Sequence, residues 1–364
     1  MLLHLIEIFI FSFLILLSFL MISNPLKVNK KANFWLGISF CIWASFWLDE
    51  ILLLIGNTTM NSVYKSIISF IQYLGPLVFY LSFVFFTNPN FKLNVSSIRY
   101  LFLPILYLTT QFVAINTKAD LHSISISLII IHVLFYSVKS YLRIKQHQKK
   151  IKHFSSTIVE IDLKWLEQII FIILITSVVI SIFNIVYYKM PLNIYINLMM
   201  LTTIFFIAYK ALKQKEIFPK NIKYRNTAIS IDKDLKEDIV TKRKLFKEEE
   251  LVEYKSQLNA LMKEQQLYLN SDINLASLSE HMNITPHQLS YIINKGFNQN
   301  FYQFINGYRV NKAKSLLLDN SSDKLSILGI AFEAGFNSKT AFNTTFKKFT
   351  NKTPSEFKKE RSSL

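Results

Sequence analysis

Residues Ser326–Phe357 read SILGIAFEAGFNSKTAFNTTFKKFTNKTPSEF. Ile327, Ile330 and Ala331 fall at three- and four-residue steps, which predicts a short helix with one apolar face. Gly335 follows it, a residue that takes the positive φ of a tight turn at little cost. Phe336 fills the angle between two helices, and the Ser338 hydroxyl is suited to cap the second one. Phe342, Phe346 and Phe349 then recur at helical spacing and mark a core face. The outward residues are Lys339, Thr340, Asn343, Thr344, Lys347 and Lys348. A helix start rich in hydrogen-bonding side chains is what the DNA major groove admits. Those nearest the start reach base edges, and Lys347 and Lys348, further along, meet phosphate.

The same pattern stands once more upstream. Leu275, Leu278, His281 and Met282 form a short helix, and Asn283 to Thr285 turn. Thr285 then caps a helix with Pro286 at its first position. Leu289, Ile292 and Ile293 face inward, which leaves His287, Gln288, Ser290, Tyr291, Asn294 and Lys295 on the outer surface. Between the copies, Phe301 to Leu318 reads as one long helix with Phe304, Ile305, Tyr308, Ala313, Leu316 and Leu317 inward. It holds the two modules at fixed spacing, so that two recognition helices enter successive major-groove segments about 34 Å apart.

These residues resemble the AraC/XylS family of bacterial transcription regulators. The resemblance rests on FYQFINGYRVNKAKSLL with Arg309 and Ala313, on IAFEAGFNS, and on AFNTTFKKFTNKTPSEF. It covers roughly Glu250 to Leu364. It implies two helix-turn-helix units joined by a long helix, with His287, Ser290 and Tyr291, and Lys339, Thr340, Asn343 and Thr344, facing bases. Arg309 is structural by the same resemblance. Asn298 stands where many relatives have Gly, and Asn is the next best residue for a left-handed turn. The front half is not the soluble half usual in the family, and resembles that of membrane-embedded relatives.

From Ser271 to Leu364 the chain has 12 basic and 7 acidic residues, a modest excess that leaves affinity dependent on base contacts. Glu248 to Leu269 is helical by the steps of Leu251, Tyr254, Leu258, Leu261 and Tyr268. Two arrangements fit it: a short dimerising coiled coil, or a helix packed on the domain that follows. Lys213 to Asp238 mixes charges with Pro219 and carries few apolar positions, so it reads as a juxtamembrane connector whose basic residues touch anionic headgroups.

Ahead of Lys213 the composition changes. Leu2 to Ile22 is nearly continuous Leu, Ile and Phe, close to the roughly 20 residues that cross about 30 Å of hydrocarbon. It lacks a basic start and a small-residue cleavage site, so it reads as a retained span rather than a secretory signal. Further spans are expected at Phe34–Ile55, Ile67–Phe86, Ile98–Ile115, Leu121–Val138, Gln168–Tyr188 and Pro191–Tyr209, seven in all. The first, third and fifth connections carry twelve Lys and Arg, seven of them from Lys139 to Lys164. The even connections carry only Lys65, Lys118 and Lys189. Translocated loops are poor in Lys and Arg, so Met1 is expected outside and the C-terminal half in the cytoplasm. Polar residues within spans are candidates for a ligand pocket: Asp49, Glu50, His132 and Asn184. Trp35, Trp43 and Trp47 suit an interfacial belt.

The expected fold class is therefore all-α: a seven-helix transmembrane bundle over 1–212, a connector over 213–247, and a cytoplasmic double helix-turn-helix domain over 248–364. Expected partners are promoter DNA, the bilayer, RNA polymerase, a second copy of the chain and a small-molecule or envelope signal. A net charge of +17 agrees with nucleic acid and anionic lipid as partners. One cysteine, Cys41, excludes a disulfide framework and Cys-based zinc sites, and 7 Gly in 364 residues leave little for phosphate loops. No cofactor, metal or catalytic residue is expected, since HExxH and Ser-His-Asp patterns are lacking. The competing readings are a seven-span transporter or membrane enzyme with a regulatory tail, and a helical tail that binds protein. Internal repeats of the transporter kind are not evident. Tethering without sensing is the remaining alternative for the bundle.

Overall fold

The computed structural model describes residues 2–56, 62–117, 121–187, 194–230, 245–319 and 325–361, with the side chains at 62, 96, 122, 181, 184, 185, 360 and 361 outside the description. The chain forms two compact units, one of residues 1–145 with 163–216 and the other of residues 146–162 with 217–364.

The first unit contains α1 (Leu2–Ser23), α2 (Lys30–Ala44), α3 (Leu48–Leu54), α4 (Ser62–Tyr73), α5 (Gly75–Thr87), α6 (Phe102–Thr117), most of α7 (His122–Lys150), α8 (Lys164–Val186) and α9 (Ile194–Lys213). A 3-10 turn at Ser45–Trp47 joins α2 to α3. By length and composition, six stretches among the described residues can cross a membrane: Leu2–Ser23, Lys30–Leu54, Val63–Thr87, Ser97–Thr117, Ser123–His153 and Ile194–Lys213. The expected sixth span corresponds to α8, 23 residues long, which stands apart from these six and includes the side chains at 181, 184 and 185. Of the basic residues expected in the even connections, Lys118 and Lys189 lie outside the described residues.

Close helix packing and a few polar contacts hold the first unit together. α1 packs on α2 and α9, and α2 on α5. Gly37 lets α1 and α2 approach closely, because a Cβ there would sit 2.7 Å from Ile22 Cγ1 and 2.9 Å from the Ser18 carbonyl. The turn from α1 to α2 is tied to the end of α9: Asn29 Nδ2 donates to the Lys215 carbonyl at 2.8 Å and its backbone N–H to Glu216 at 2.9 Å. Trp47 corrects the interfacial expectation. It is buried, and its Nε1 donates to Asn197 Oδ1 of α9 at 3.1 Å, since a buried indole N–H needs an acceptor.

The second unit contains the segment 146–162, a helix α10 over 222–230, α11 (Glu248–Glu264), α12 (Leu275–His281), α13 (Pro286–Phe297), α14 (Phe301–Leu318), α15 (Ile327–Glu333), α16 (Lys339–Thr350) and α17 (Pro354–Arg361). The expected helix at Glu248–Leu269 ends earlier. Gln266 takes a left-handed backbone, after which Leu267–Leu269 form a 3-10 turn. Of its two expected arrangements the structure has the packed one: α11 lies on α13, with Leu258 and Met262 buried.

Two boundaries differ from expectation. Ile217, Phe218 and Ala228 are buried, so the first part of the 213–247 connector is packed into the second unit, with Phe218 stacked on Phe154. Residues 231–244 of that connector lie outside the described residues. The loop between α7 and α8 also belongs to the second unit rather than to the first.

Candidate nucleic-acid interface

The first helix-turn-helix is α12 and α13. Asn274 caps α12, its side chain accepting from Ser277 N at 3.0 Å. Asn283 makes the turn with φ 53°. Thr285 caps α13, and the Gln288 Oε1 accepts from Thr285 N and Oγ1, each at 2.9 Å. Gln288 thereby completes a reciprocal cap, and half of its amide is already engaged. Leu289, Ile292 and Ile293 are fully buried as expected.

Five of the outward positions fall into two groups. His287 and Gln288 are half-buried and Lys295 is exposed. Ser290 and Tyr291, expected on the outer surface, are instead buried at 2% and 7% exposure. Asn294 Nδ2 donates to the Ser290 carbonyl at 2.7 Å, which covers Ser290 from its own helix. Tyr291 lies 6.0 Å ring to ring from Phe246, which in turn packs on Tyr254 of α11. The periodicity of α13 alone does not reveal that α11 covers this flank.

The second unit of the pair is α15 and α16. Ser326 and Ser338 cap them, accepting from Gly329 N at 3.0 Å and from Ala341 N at 3.2 Å. Ile330, Ala331, Phe342 and Phe346 are fully buried, and Gly335 has φ +87°. Lys339, Thr340, Thr344, Lys347 and Lys348 are exposed and Asn343 half-buried, so all six expected residues line one accessible face. The α16 start is capped at Ser338 and presents four side chains with donors or acceptors in its first two turns, Lys339, Thr340, Asn343 and Thr344. Lys348 Nζ lies 4.9 Å from the Tyr302 ring. Partial burial, and then the nearby charge of Lys152, hold its ammonium below the usual lysine pKa.

α14 spans Phe301–Leu318, as read from its apolar spacing. Its first half packs on α13, with Phe297 and Phe304 rings 4.9 Å apart. Its second half, Val310, Ala313 and Leu317, joins the core of α15 and α16 with Ile330, Phe336, Phe342 and Phe346. Arg309 at its centre is fully buried. It donates to the carbonyls of Tyr268 at 2.7 Å and Asn270 at 2.9 Å, and lies over Phe336 at 5.8 Å. Burial pulls its pKa down to about 10, so it remains charged at neutral pH. Arg309 thus fastens the 3-10 turn to the linker helix and the second unit, the structural role the resemblance implied.

Three of the four candidate ligand residues of the apolar half lie among the described side chains. Asp49 is exposed and Glu50 half-buried in the first turn of α3. His132 is buried in α7, stacked on Tyr73 at 4.2 Å and edge-on to Tyr136 at 4.9 Å. No hydrogen bond, ion pair or ring contact joins Asp49 or Glu50 to His132 among the described residues. Asn184 lies outside the described side chains. No group of three or more His, Cys, Asp or Glu that could hold a metal occurs among the described residues.

The residues missed by sequence reading are those of 146–162. Ile151, Phe154 and Ile161 are buried in the same unit as the two helix-turn-helix pairs. The signal was an apolar residue every few positions inside a basic loop.

With this geometry in view, the C-terminal segment is an AraC-type helix-turn-helix domain: residues 278–360 match the family described as Helix-turn-helix domain. Over 99 residues the chain is 31% identical to an uncharacterized HTH-type transcriptional regulator of Staphylococcus aureus (strain COL), covering 27% of this chain and 13% of that one. It is 33% identical over 105 residues to an uncharacterized HTH-type transcriptional regulator in the cgkA 5' region of Pseudoalteromonas carrageenovora, covering 29% and 60%. The match thus spans a small part of the Staphylococcus relatives' length. Two solved structures are similar over 29% of this chain. One is the C-terminal domain of the two-component response regulator yesN from Fusobacterium nucleatum, at 29% identity, 98% of that chain and TM-score 0.27. The other is the C-terminal domain of AraT, a response regulator from Geobacillus stearothermophilus, at 28% identity, 83% and TM-score 0.26.

Proposed function

We propose that this chain is a membrane-held, sequence-specific transcription regulator that binds promoter DNA through α13 and α16. The carrying observation is the capped, accessible start of α16, with Lys339, Thr340, Asn343 and Thr344 on one face of a helix anchored by the α14 core. Lys347 and Lys348 follow at phosphate-contacting positions. On α13 the contact set is His287, Gln288 and Lys295, with Ser290 and Tyr291 supporting the helix from beneath rather than reading bases.

The apolar half has seven spans, the C-terminal half is cytoplasmic and Met1 is outside. The support is the Lys and Arg bias of the connections together with the composition of the second unit. That unit takes residues from both sides of α8 and α9, and a single compact polar unit cannot straddle hydrocarbon. If α9 crosses, α8 crosses as well.

Chromatin immunoprecipitation of the full-length protein tests the reading. Changing Lys339 and Asn343 together to Ala is expected to lower promoter occupancy about 10-fold or more, at the roughly 1–3 kcal/mol that a good base contact contributes. Unchanged occupancy at unchanged abundance would remove α16 from the interface.

A further inference from the structure

The loop between α7 and α8 is built into the domain that carries both helix-turn-helix units. Ser155 forms an antiparallel bridge with Asn274, the cap of α12, and Leu275 N donates to the Phe154 carbonyl at 3.1 Å. Ser156 Oγ donates to the Ile273 carbonyl at 3.0 Å. On the linker helix, the fully buried Asn306 donates through Nδ2 to the Ser156 carbonyl at 2.8 Å. Before α16, Asn337 Nδ2 donates to Glu160 at 3.4 Å. The same segment grips the connector: Phe154 stacks on Phe218 at 5.7 Å, and Lys150 Nζ donates to the Ile229 carbonyl at 2.7 Å.

Seventeen consecutive residues, 146–162, therefore touch the first helix-turn-helix, the linker helix and the approach to the second recognition helix. Undocking them would break the buried hydrogen bond between the Asn306 amide and the Ser156 carbonyl and leave Asn306 Nδ2 with only the Tyr302 carbonyl of its own helix, at 2.9 Å. The segment is continuous at one end with α7 and at the other with α8, so a rearrangement of those two helices is transmitted to it through the chain. None of the contacts uses Lys339, Thr340 or Thr344, and Lys152 adds positive charge beside Lys348.

We infer that residues 146–162 are a regulatory strap: docked, they hold the two recognition helices in the DNA-binding arrangement, and the apolar half controls DNA binding by docking or releasing them. This deepens the proposed function, on which it rests. A signal acts by favouring the docked or the released form, and only its differential affinity for the two can drive the switch.

The test uses the full-length protein in native membranes, with chromatin immunoprecipitation and capture of the recovered promoter fragment as readouts. Phe154→Ala removes the buried ring that anchors the strap, and occupancy is expected to fall at least about tenfold, one 1.4 kcal/mol step. Ser155→Cys with Asn274→Cys, in a Cys41→Ser background, pairs two residues opposed across an antiparallel bridge, a spacing a disulfide can close. Oxidised membranes are expected to form the cross-link and to capture the fragment as well as the same variant reduced. Absence of the cross-link, loss of capture on oxidation, or full occupancy in the Phe154→Ala protein would each overturn the strap. If Phe154→Ala lowers abundance, the cross-linking comparison decides. Lys339→Ala with Asn343→Ala serves as reference: occupancy lost there but kept in Phe154→Ala sinks the strap alone, and occupancy kept in both sinks the DNA interface itself.

Discussion

Gly335 shows how a single backbone position fixes the second helix-turn-helix. Its φ of +87° is unfavourable for any residue with a Cβ, and a Cβ there would lie 2.6 Å from the Tyr268 carbonyl and 2.8 Å from Leu269 Cα. Those are backbone atoms, held in turn by Arg309 through the Tyr268 carbonyl, so they cannot step aside. Gly335→Ala is therefore expected to destabilise the C-terminal unit by more than the roughly 1–2 kcal/mol that a left-handed backbone costs an L-residue. Pulse proteolysis of the full-length protein in urea measures this, and a loss within the ~0.5 kcal/mol typical of surface changes would contradict it. The glycine was legible because a turn between two amphipathic helices calls for one. Asn298 was picked out only through the resemblance, as the position where many relatives have Gly, and it does take a left-handed backbone with φ 53°. Tyr291 was not, because its exposure is set by Phe246, far from it in sequence, and not by the period of its own helix.

Helices differ in what a missing side chain is for, and two glycines make opposite predictions. Gly37 of α2 has Ile22 Cγ1 at 2.7 Å and the Ser18 carbonyl at 2.9 Å from where its Cβ would stand, whereas Gly307 of α14 has nothing within 4 Å. In the first case a larger residue pushes two apolar helices apart, costing about 1–3 kcal/mol as overpacking does. In the second, alanine removes backbone freedom from the unfolded chain and gains roughly 0.5–1 kcal/mol. Gly37→Val should lower the amount of folded protein in membranes, and Gly307→Ala should raise the urea midpoint of the C-terminal unit. A Gly37→Val protein of wild-type abundance and stability would show that α1 and α2 are not held at that contact. The element boundaries of α13, α14 and α16 could be read from apolar spacing and caps, since their cores are largely local to one domain. The strap could not. Its buried residues Ile151 and Phe154 sit among lysines, and the hydrogen bonds that fix it reach across 117 and 150 positions of sequence.

At the scale of the whole molecule, the count of membrane crossings and the composition of the second unit constrain each other. On the proposed topology the lysine and arginine bias puts the α7–α8 connection in the cytoplasm, and the hydrogen bonds of Ser156 and Asn306 independently put that connection and the C-terminal domain in one unit. Both hold together only if an even number of crossings separates residue 162 from residue 217, which on the proposed topology α8 and α9 supply as a pair. Taking α8 out of the membrane would leave α9 alone and carry the domain to the outer side, away from DNA. Single cysteines in a Cys41→Ser background report the outcome with a membrane-impermeant thiol reagent. Lys118→Cys should label in intact cells or spheroplasts, and Lys152→Cys and Lys359→Cys only after lysis. Labelling of Lys152→Cys and Lys359→Cys from opposite sides would break the pairing of α8 with α9. Labelling of both from outside would put the recognition helices beyond the reach of the chromosome.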